Sequence, residues 1–212
     1  MLKITLKEGQ SIWITSDLHY MHNNIVRGVT NWRDSEGNVP IEQVRDFDTL
    51  EDMNLSLINN INDNVQENDI LFCLGDWSFG GEHNIENFRT QINCKNIYLV
   101  LGNHDHHIER KEQYRKLFTG VYNYLELEIG NNKFILSHYP IASWNGVRKG
   151  YIHLCGHTHL SNDKKILYGK SMDVGVDGHP EFRPYKLSEI MEIMNKQTID
   201  SWMKFKFPGK ID

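Results

Sequence analysis

Five short motifs in this chain contain residues that could bind metal ions or transfer protons. In chain order they are Asp17-Leu18-His19, Gly75-Asp76, Gly102-Asn103-His104-Asp105, the single His138, and Gly156-His157-Thr158-His159. Carboxylate, amide and imidazole groups are ligands for divalent transition-metal ions, and an imidazole that is not coordinated can carry a proton. The composition of the motifs therefore predicts metal-assisted acid–base chemistry.

Each motif follows a short apolar run that is typical of a buried strand. The runs cover residues 12–14, 70–74, 97–101, 134–136 and 151–155. Ligands of an open α/β sheet collect beyond the carboxyl ends of its parallel strands, so we expect all five motifs to meet at one rim. A single Asp-x-His or Gly-Asp is most often an ordinary turn, and the prediction rests on the recurrence of the pattern.

The motifs supply enough ligands for two metal ions. One set of four is Asp17, His19, Asp76 and His159, and the other is Asp76, Asn103, His138 and His157, with Asp76 bridging. This mixture suits Mn²⁺, Fe²⁺, Zn²⁺ or Ni²⁺ better than Ca²⁺ or Mg²⁺ alone. Two divalent cations would outweigh two carboxylates, so the site should attract an oxyanion. His104 is left over and could protonate a leaving group.

The order of these motifs resembles that of the calcineurin-like metallophosphoesterases. The family shares Asp-x-His, Gly-Asp, Gly-Asn-His-Asp or Glu, a separate His, and Gly-His-x-His, and all five are present between Asp17 and His159. The resemblance implies an α/β (α+β) fold, in which a two-sheet β-sandwich is flanked by helices in four layers. It also implies one domain over residues 1–212, a dinuclear site that uses the ligands named above, and catalytic roles for His104 and Asp76.

Two further segments are Thr15-Ser16-Asp17-Leu18-His19 and Asp173-Val174-Gly175-Val176-Asp177, the latter followed by Arg183-Pro184. Through these segments the chain most resembles small, single-domain bacterial and phage members of that family. The resemblance implies that Asn103 and His104 contact the substrate. It places Arg45 near the start of the first long helix, where a phosphate contact and a solvated helix-terminal charge remain alternative roles. His22 and Asn23 follow the first ligand pair and could line the pocket.

The activity implied by the resemblance is hydrolysis of a phosphodiester or phosphomonoester by a metal-bound hydroxide. Ser/Thr protein phosphatases of the superfamily carry an Asp-Arg pair after Gly-Asp, and this chain has Phe79 and Gly80 there, which argues against that activity. A nuclease is the first alternative. It would need a basic track, for which the candidates are Arg27, Arg45, Arg148, Lys149, Lys164 and Lys165. A non-catalytic binding module with structural metals is the second.

Composition and net charge indicate which binding partners and which cellular compartment to expect. The 212 residues carry a formal net charge of −5, which disfavours non-specific binding to long nucleic acid without excluding it. The expected partner, a small phosphate ester, is what the resemblance implies. The three cysteines have no paired spacing, which is typical of a reduced, intracellular protein. No apolar stretch is long enough for a membrane span, so we predict a cytoplasmic protein with no membrane association. The sequence does not predict an oligomeric state.

Between the motifs, apolar periodicity predicts the supporting elements. A long helix is expected over residues 42–62, and shorter helical segments over 84–91 and 109–118. Alternation on both sides of Gly130 predicts a hairpin. The tail, residues 202–207, alternates aromatic and basic residues and is interpreted as an edge strand or an interface, with a nucleic-acid contact as the alternative.

Overall fold

The computed structural model describes residues 1–159 and 168–206. Within these ranges the strands are β1 (Leu2–Ile4), β2 (Ile12–Thr15), β3 (Ile70–Cys73), β4 (Asn96–Val100), β5 (Gly120–Tyr122), β6 (Leu125–Ile129), β7 (Asn132–Leu136), β8 (Ile152–Cys155), β9 (Ser171–Asp173) and β10 (Tyr185–Lys186). The helices are α1 (Leu50–Asn64), α2 (His83–Gln91), α3 (His106–Arg110), α4 (Glu112–Arg115), α5 (Leu187–Asn195) and α6 (Asp200–Lys206). Short 3-10 helices lie at Asn23–Ile25, Ile41–Gln43, Val147–Lys149 and Val176–Gly178.

The strands form two mixed sheets of five strands each. The first sheet has the order β10-β2-β3-β4-β5, in which all neighbours are parallel except β10 and β2. The second has the order β1-β6-β7-β8-β9, in which only the β6–β7 pair is antiparallel. That pair is the predicted hairpin around Gly130.

Alternation along the strands of the first sheet explains why both of its faces are buried. Trp13, Leu71 and Leu99 point to one side and pack against apolar residues of α1 and α2. Their chain neighbours Ile14 and Phe72 point to the other side and pack against residues of the second sheet. Because side chains leave a strand alternately on its two faces, one short apolar run can serve two layers.

The outer face of the second sheet is also covered. Trp202 of α6 is buried there against Ile135, Trp144 and Val147. Its indole Nε1 donates a hydrogen bond to the carbonyl of Ala142 at 2.8 Å. The layers therefore run helix, sheet, sheet, helix, and the predicted α/β sandwich flanked by helices is confirmed.

The edge-strand interpretation of the tail was wrong where the structure describes it, whereas the interface and the nucleic-acid contact stay predictions. Residues 202–206 belong to α6 and do not form an edge strand, and residue 207 lies outside the described residues. The aromatic and basic alternation misled because burial of Trp202 outweighs the strand-like pattern of its neighbours.

The first long helix begins later than predicted. The chain from Val44 to Asp48 lacks helical structure, and α1 begins at Leu50 after Thr49, whose side chain accepts a hydrogen bond from the amide of Asp52. Threonine is a favoured N-cap because its hydroxyl satisfies one of the free amides of the first turn. Arg45 therefore lies in an extended segment before the helix.

In residues 1–159 and 168–206, no helix has both the length and the apolar composition to cross a bilayer.

Candidate metal and active site

The five motifs meet at one rim of the sandwich, as predicted. All five apolar runs form strands, but β2, β3 and β4 belong to the first sheet, whereas β7 and β8 belong to the second. The carboxyl ends of the two packed sheets therefore build the site together. The sequence pattern predicted the strands and their rim, but did not divide them between sheets.

The backbone at the rim adopts a conformation that is uncommon for residues other than glycine. Among the described residues, seven non-glycine residues have positive φ, and five of them are predicted ligands: Asp17 (56°), His19 (51°), Asp76 (56°), His157 (75°) and His159 (51°). Such conformations are a source of local strain and are enriched at functional sites. The turns they form direct the ligand side chains towards one another.

Two motif glycines allow these turns to approach closely. A Cβ atom at Gly102 would overlap Oδ1 of Asp76, and one at Gly156 would overlap the side chains of Ser16 and Asp17. Any other residue would push the motifs apart. This close approach explains why glycine stands before the ligands in both motifs.

The first predicted set of ligands is brought together around one point. Nε2 of His19 lies 3.1 Å from Nε2 of His159 and 3.3 Å from Oδ2 of Asp76. Nε2 of His159 lies 3.6 Å from Oδ1 of Asp17. Four ligand atoms from three motifs thus face a common position that could hold a cation.

The second predicted set forms an adjacent cluster. Nε2 of His138 lies 2.9 Å from Oδ1 of Asn103, 3.2 Å from Nδ1 of His157 and 3.6 Å from Oδ2 of Asp76. The other ring nitrogen of His138 lies 2.8 Å from the carbonyl oxygen of Leu74, so it is the donor that fixes the tautomer. Oδ2 of Asp76 is close to both clusters.

The orientation of the two carboxylates fits a cation. Oδ2 of Asp17 accepts a hydrogen bond from the amide of His157 at 2.9 Å, and its Oδ1 is buried with no hydrogen-bond partner. Oδ1 of Asp76 accepts from the amide of His104 at 2.9 Å and leaves Oδ2 to the ligand clusters. An unpaired buried carboxylate oxygen is costly unless a cation compensates it, so these residues fit bound divalent ions.

Burial shifts the pKa values of two residues in the first ligand cluster. Burial raises the pKa of Asp17 to about 6, and it lowers the pKa of His19 well below its ordinary value. A neutral imidazole is the form that ligates metals, whereas the carboxylate needs nearby positive charge to stay ionised at neutral pH. The lowered pKa of His19 thus leaves its imidazole free to bind a cation, and a cation bound there would keep the Asp17 carboxylate ionised.

His104 lies beside the two clusters. Its ring centroid is 5.3 Å from that of His19 and 5.1 Å from that of Phe79, and one of its nitrogens lies within 4.8 Å of ligand atoms of His19 and Asp76. It lines a cavity of about 350 Å³, together with residues of both clusters and with Ile25, Trp32, Glu42, Gln43, His22 and Thr158. The structure thus places His22 in the pocket wall, as predicted, stacked on Phe79 at 3.8 Å.

Asp105 has a supporting role that the sequence reasoning did not assign. Its buried carboxylate accepts hydrogen bonds from the amides of Gly102 and Asp76 at 2.8 Å and of Trp77 at 3.0 Å. It therefore ties the end of β4 to the turn after β3. Its place beside His104 in a ligand-rich motif was the available signal, but two of its three partners, Trp77 and Asp76, are 28 and 29 residues distant in sequence.

Arg45 does not have the exposed position that a phosphate contact requires. Only 4% of its side chain is exposed, and its guanidinium donates to both carboxylate oxygens of Asp177 and to the carbonyl oxygens of Asp17 and Leu18. A phosphate contact would require these bonds to be broken. Asp177, which was not among the predicted site residues, also accepts a hydrogen bond from Nδ1 of His159 at 2.9 Å.

Two mixed sheets pack together, and carboxylate, amide and imidazole side chains that could hold metal ions collect at one rim of them. The sequence profile of the family described as calcineurin-like phosphoesterase matches residues 10–182, and the chain belongs to this family. The match spans every strand and ligand of the site.

Several proteins resemble this chain over most of its length. The uncharacterized protein MJ1445 of Methanocaldococcus jannaschii is 26% identical over 196 residues, which cover 90% of this chain and 94% of that protein. The Gene 66 protein of a Mycobacterium phage is 25% identical, over 87% of this chain and 96% of its own length. The crystal structure of AQ665, a protein of unknown function from Aquifex aeolicus, matches with a TM-score of 0.60 and 20% identity over 87% of this chain and all of that one, which shows a shared fold.

Proposed function

We propose that the protein is a dinuclear metal-dependent phosphohydrolase that cleaves a small phosphodiester or phosphomonoester. The observation that carries this proposal is the position of Asp76. Its Oδ2 lies 3.3 Å from Nε2 of His19 in one ligand cluster and 3.6 Å from Nε2 of His138 in the other. A carboxylate shared in this way is the arrangement expected of a paired-metal site.

When bound, two divalent ions would supply an activated water nucleophile and neutralise charge on the phosphoryl oxygens. Asp17, His19 and His159 would hold one ion, and Asn103, His138 and His157 the other, with Asp76 between them. The ligand set suits Mn²⁺, Fe²⁺, Zn²⁺ or Ni²⁺. Only Asp17 and Asp76 carry negative charge in this set, so the loaded site would attract an anionic ester.

His104 is the proposed proton donor to the leaving group. The bond from its amide to Asp76 fixes its backbone, and its ring borders the cavity next to the first ligand cluster. A side chain there can transfer a proton to the departing oxygen without giving up its place to a metal. Asn103 faces the same cavity and is proposed to contact the phosphoryl group as well.

The surroundings of the cavity favour a small ester over nucleic acid. A volume of about 350 Å³ is suited to a small molecule, and no Lys or Arg is among the described residues that line it. Of the candidates for a basic track, Arg27 pairs with Asp46 and Arg45 is buried, whereas Lys164 and Lys165 lie outside the described residues. The polyanion of a nuclease substrate would need a cationic path to the rim.

The proposal is tested by removing and restoring metal while following hydrolysis. We expect chelation to abolish cleavage of a panel of nucleotides, cyclic nucleotides, sugar phosphates and simple diesters, and added Mn²⁺ to restore it. Asp76→Asn, which removes the shared charge, should fail to recover. Wild-type protein that binds two ions but cleaves no ester in the panel would favour the binding-module alternative, and steep loss of oligonucleotide binding with salt would favour the nuclease.

A further inference from the structure

Arg45 and Asp177 form a buried pair directly behind the first ligand cluster. Nε and Nη2 of Arg45 donate to the two carboxylate oxygens of Asp177 at 2.7 and 2.9 Å. This is the two-pronged geometry that a planar guanidinium forms and a lysine cannot. The side chains are 4% and 15% exposed, so solvent hardly competes with the pair.

The carboxylate of Asp177 reaches one metal ligand directly. Oδ2 of Asp177 accepts a hydrogen bond from Nδ1 of His159 at 2.9 Å. With the proton on Nδ1, the lone pair of His159 is on Nε2, which faces Oδ1 of Asp17 and Nε2 of His19. The bond therefore selects the tautomer that can bind a metal and sets the orientation of the ring.

The guanidinium of Arg45 also contacts the backbone of the turn that carries two further predicted ligands, Asp17 and His19. Nη2 of Arg45 donates to the carbonyl oxygen of Asp17 at 2.5 Å, and Nη1 donates to that of Leu18 at 2.9 Å. These carbonyls belong to the turn in which Asp17 and His19 both have positive φ. One side chain thus stabilises the unusual turn that presents two ligands and, through Asp177, orients a third.

The second ligand cluster has no described hydrogen bond to this pair. His138 is oriented by the carbonyl of Leu74, and Asn103 and His157 contact His138. Any loss of the Arg45–Asp177 pair should therefore affect one cluster more than the other.

We propose that Arg45 and Asp177 are a positioning pair for the metal position bounded by Asp17, His19, Asp76 and His159, and that they set the metal affinity of that position selectively. The inference rests on the paired-metal site of the proposed function. It replaces the phosphate contact predicted for Arg45 with a role in which the guanidinium acts through the ligands and does not touch the substrate.

The test is a metal titration of the chelated, full-length protein, with no substrate present. We expect wild-type protein to bind two Mn²⁺ ions. Asp177→Asn should lower the affinity for one ion about 10- to 100-fold, while the affinity for the other stays within about 3-fold of its wild-type value. Arg45→Lys keeps the positive charge but cannot donate the two parallel hydrogen bonds to Asp177. It should therefore also weaken the binding of the same ion. Electron paramagnetic resonance should show the spectrum of a coupled Mn²⁺ pair in wild type and of a single Mn²⁺ in the variants at the same metal concentration.

Glu189→Gln is a matched control. Glu189 forms a similar two-pronged pair with Arg183, at 2.7 and 3.1 Å, and this pair does not contact any predicted ligand. We expect this variant to bind both ions as wild type does. If it loses metal affinity to the same extent as Asp177→Asn, the effect is one of general stability and the proposal is wrong.

A second measurement needs no metal at all. Nitrogen NMR of the histidine rings in the chelated protein should show His159 with its proton on Nδ1 in wild type and a mixture of tautomers in Asp177→Asn. Unchanged metal affinity in both variants, equal weakening of both ions, or failure of wild type to bind two ions would each overturn the inference. Metal binding without hydrolysis would contradict the proposed function alone.

Discussion

At the scale of single residues, the two carboxylate oxygens of Asp17 make different contacts, and so do those of Asp76. One oxygen of Asp17 accepts a hydrogen bond from the backbone amide of His157, and one oxygen of Asp76 accepts a hydrogen bond from the backbone amide of His104. The other oxygen faces the ligand clusters. Each aspartate therefore holds two motifs together and offers a ligand at the same time.

His104 is where the proposed chemistry is most directly tested. We expect His104→Ala to lower kcat about 10²- to 10⁴-fold, because a proton donor to the leaving group is lost while the ligands remain. Metal content, measured by elemental analysis, should stay at the wild-type value. His106→Ala is the control, since His106 is exposed and two residues further along the chain. Unchanged turnover in His104→Ala would remove this residue from the mechanism.

His153 makes stability depend on pH. Its ring is buried in β8, with Nε2 accepting from the amide of Ile141 and Nδ1 next to the carbonyl of Ile135. Burial lowers its pKa from 6.5 to about 4. The unfolded chain therefore takes up a proton at higher pH than the folded chain does. The stabilisation is complete above pH 6.5 and is lost as the pH falls towards about 4, with a total of about 3 kcal/mol.

Urea unfolding of wild type and His153→Asn at several pH values checks this. The difference in the free energy of unfolding between the two proteins should change between pH 6.5 and about 4 and be constant above that range. Because other buried groups titrate equally in both proteins, the comparison isolates His153. Parallel curves over the whole range would contradict the assignment.

At the scale of elements, the segment before α1 forms one wall of the cavity. Trp32 lies in the loop after the first 3-10 helix, lines the cavity and is 45% exposed, which is a large exposed fraction for an indole. A flat apolar surface at the rim of a phosphate site is suited to contact the organic part of an ester.

Trp32→Ala should therefore raise KM about 3- to 10-fold for an ester with a ring-containing leaving group, with little change in metal content. Trp32→Phe should keep most of the affinity. Tyr124→Ala is the control, because Tyr124 is 41% exposed and does not line the cavity. Equal KM values for Trp32→Ala and wild type across the ester panel would show that this wall does not contact substrate.

The strands and the helix predicted over 84–91 were found close to their expected bounds, whereas the start of the first long helix was not. The apolar runs that form β2, β3, β4, β7 and β8 are short and continuous, and this pattern predicts buried strands. The expected helix over 42–62 began eight residues late, because Thr49 caps α1 and Arg45 is drawn into its buried contacts with Asp177 and the turn after β2. Long-range ion pairing of this kind overrides local periodicity.

At the scale of the whole molecule, α6 closes the outer face of the second sheet on the side away from the first sheet. Trp202 is only 1% exposed and packs on Ile135 beneath the layer that carries β7 and β8. Because His138 and His157 follow directly after these two strands, the packing behind the sheet supports the strands that position both histidines.

Trp202→Ala should lower the free energy of unfolding by about 3–5 kcal/mol, since it removes a large buried side chain and leaves a cavity. Chemical denaturation with an intrinsic fluorescence or circular dichroism signal measures this. Leu55→Ala, at a side chain that is 54% exposed, should change stability by less than about 0.5 kcal/mol. A loss for Trp202→Ala no larger than that of the control would mean that α6 is not held in place in solution.

The sequence by itself determined the strands at the rim and singled out the candidate ligands that follow them, because short-range alternation and residue type decide both. Asp17, Asp76 and His159 could be named as candidate ligands from their motifs alone. Only the tertiary structure decided that two sheets share the rim, that Asp105 and Asp177 hold the turns, and that Arg45 lies behind the site. These contacts join residues far apart in the chain, and their stability comes from burial and hydrogen bonding that no local pattern encodes.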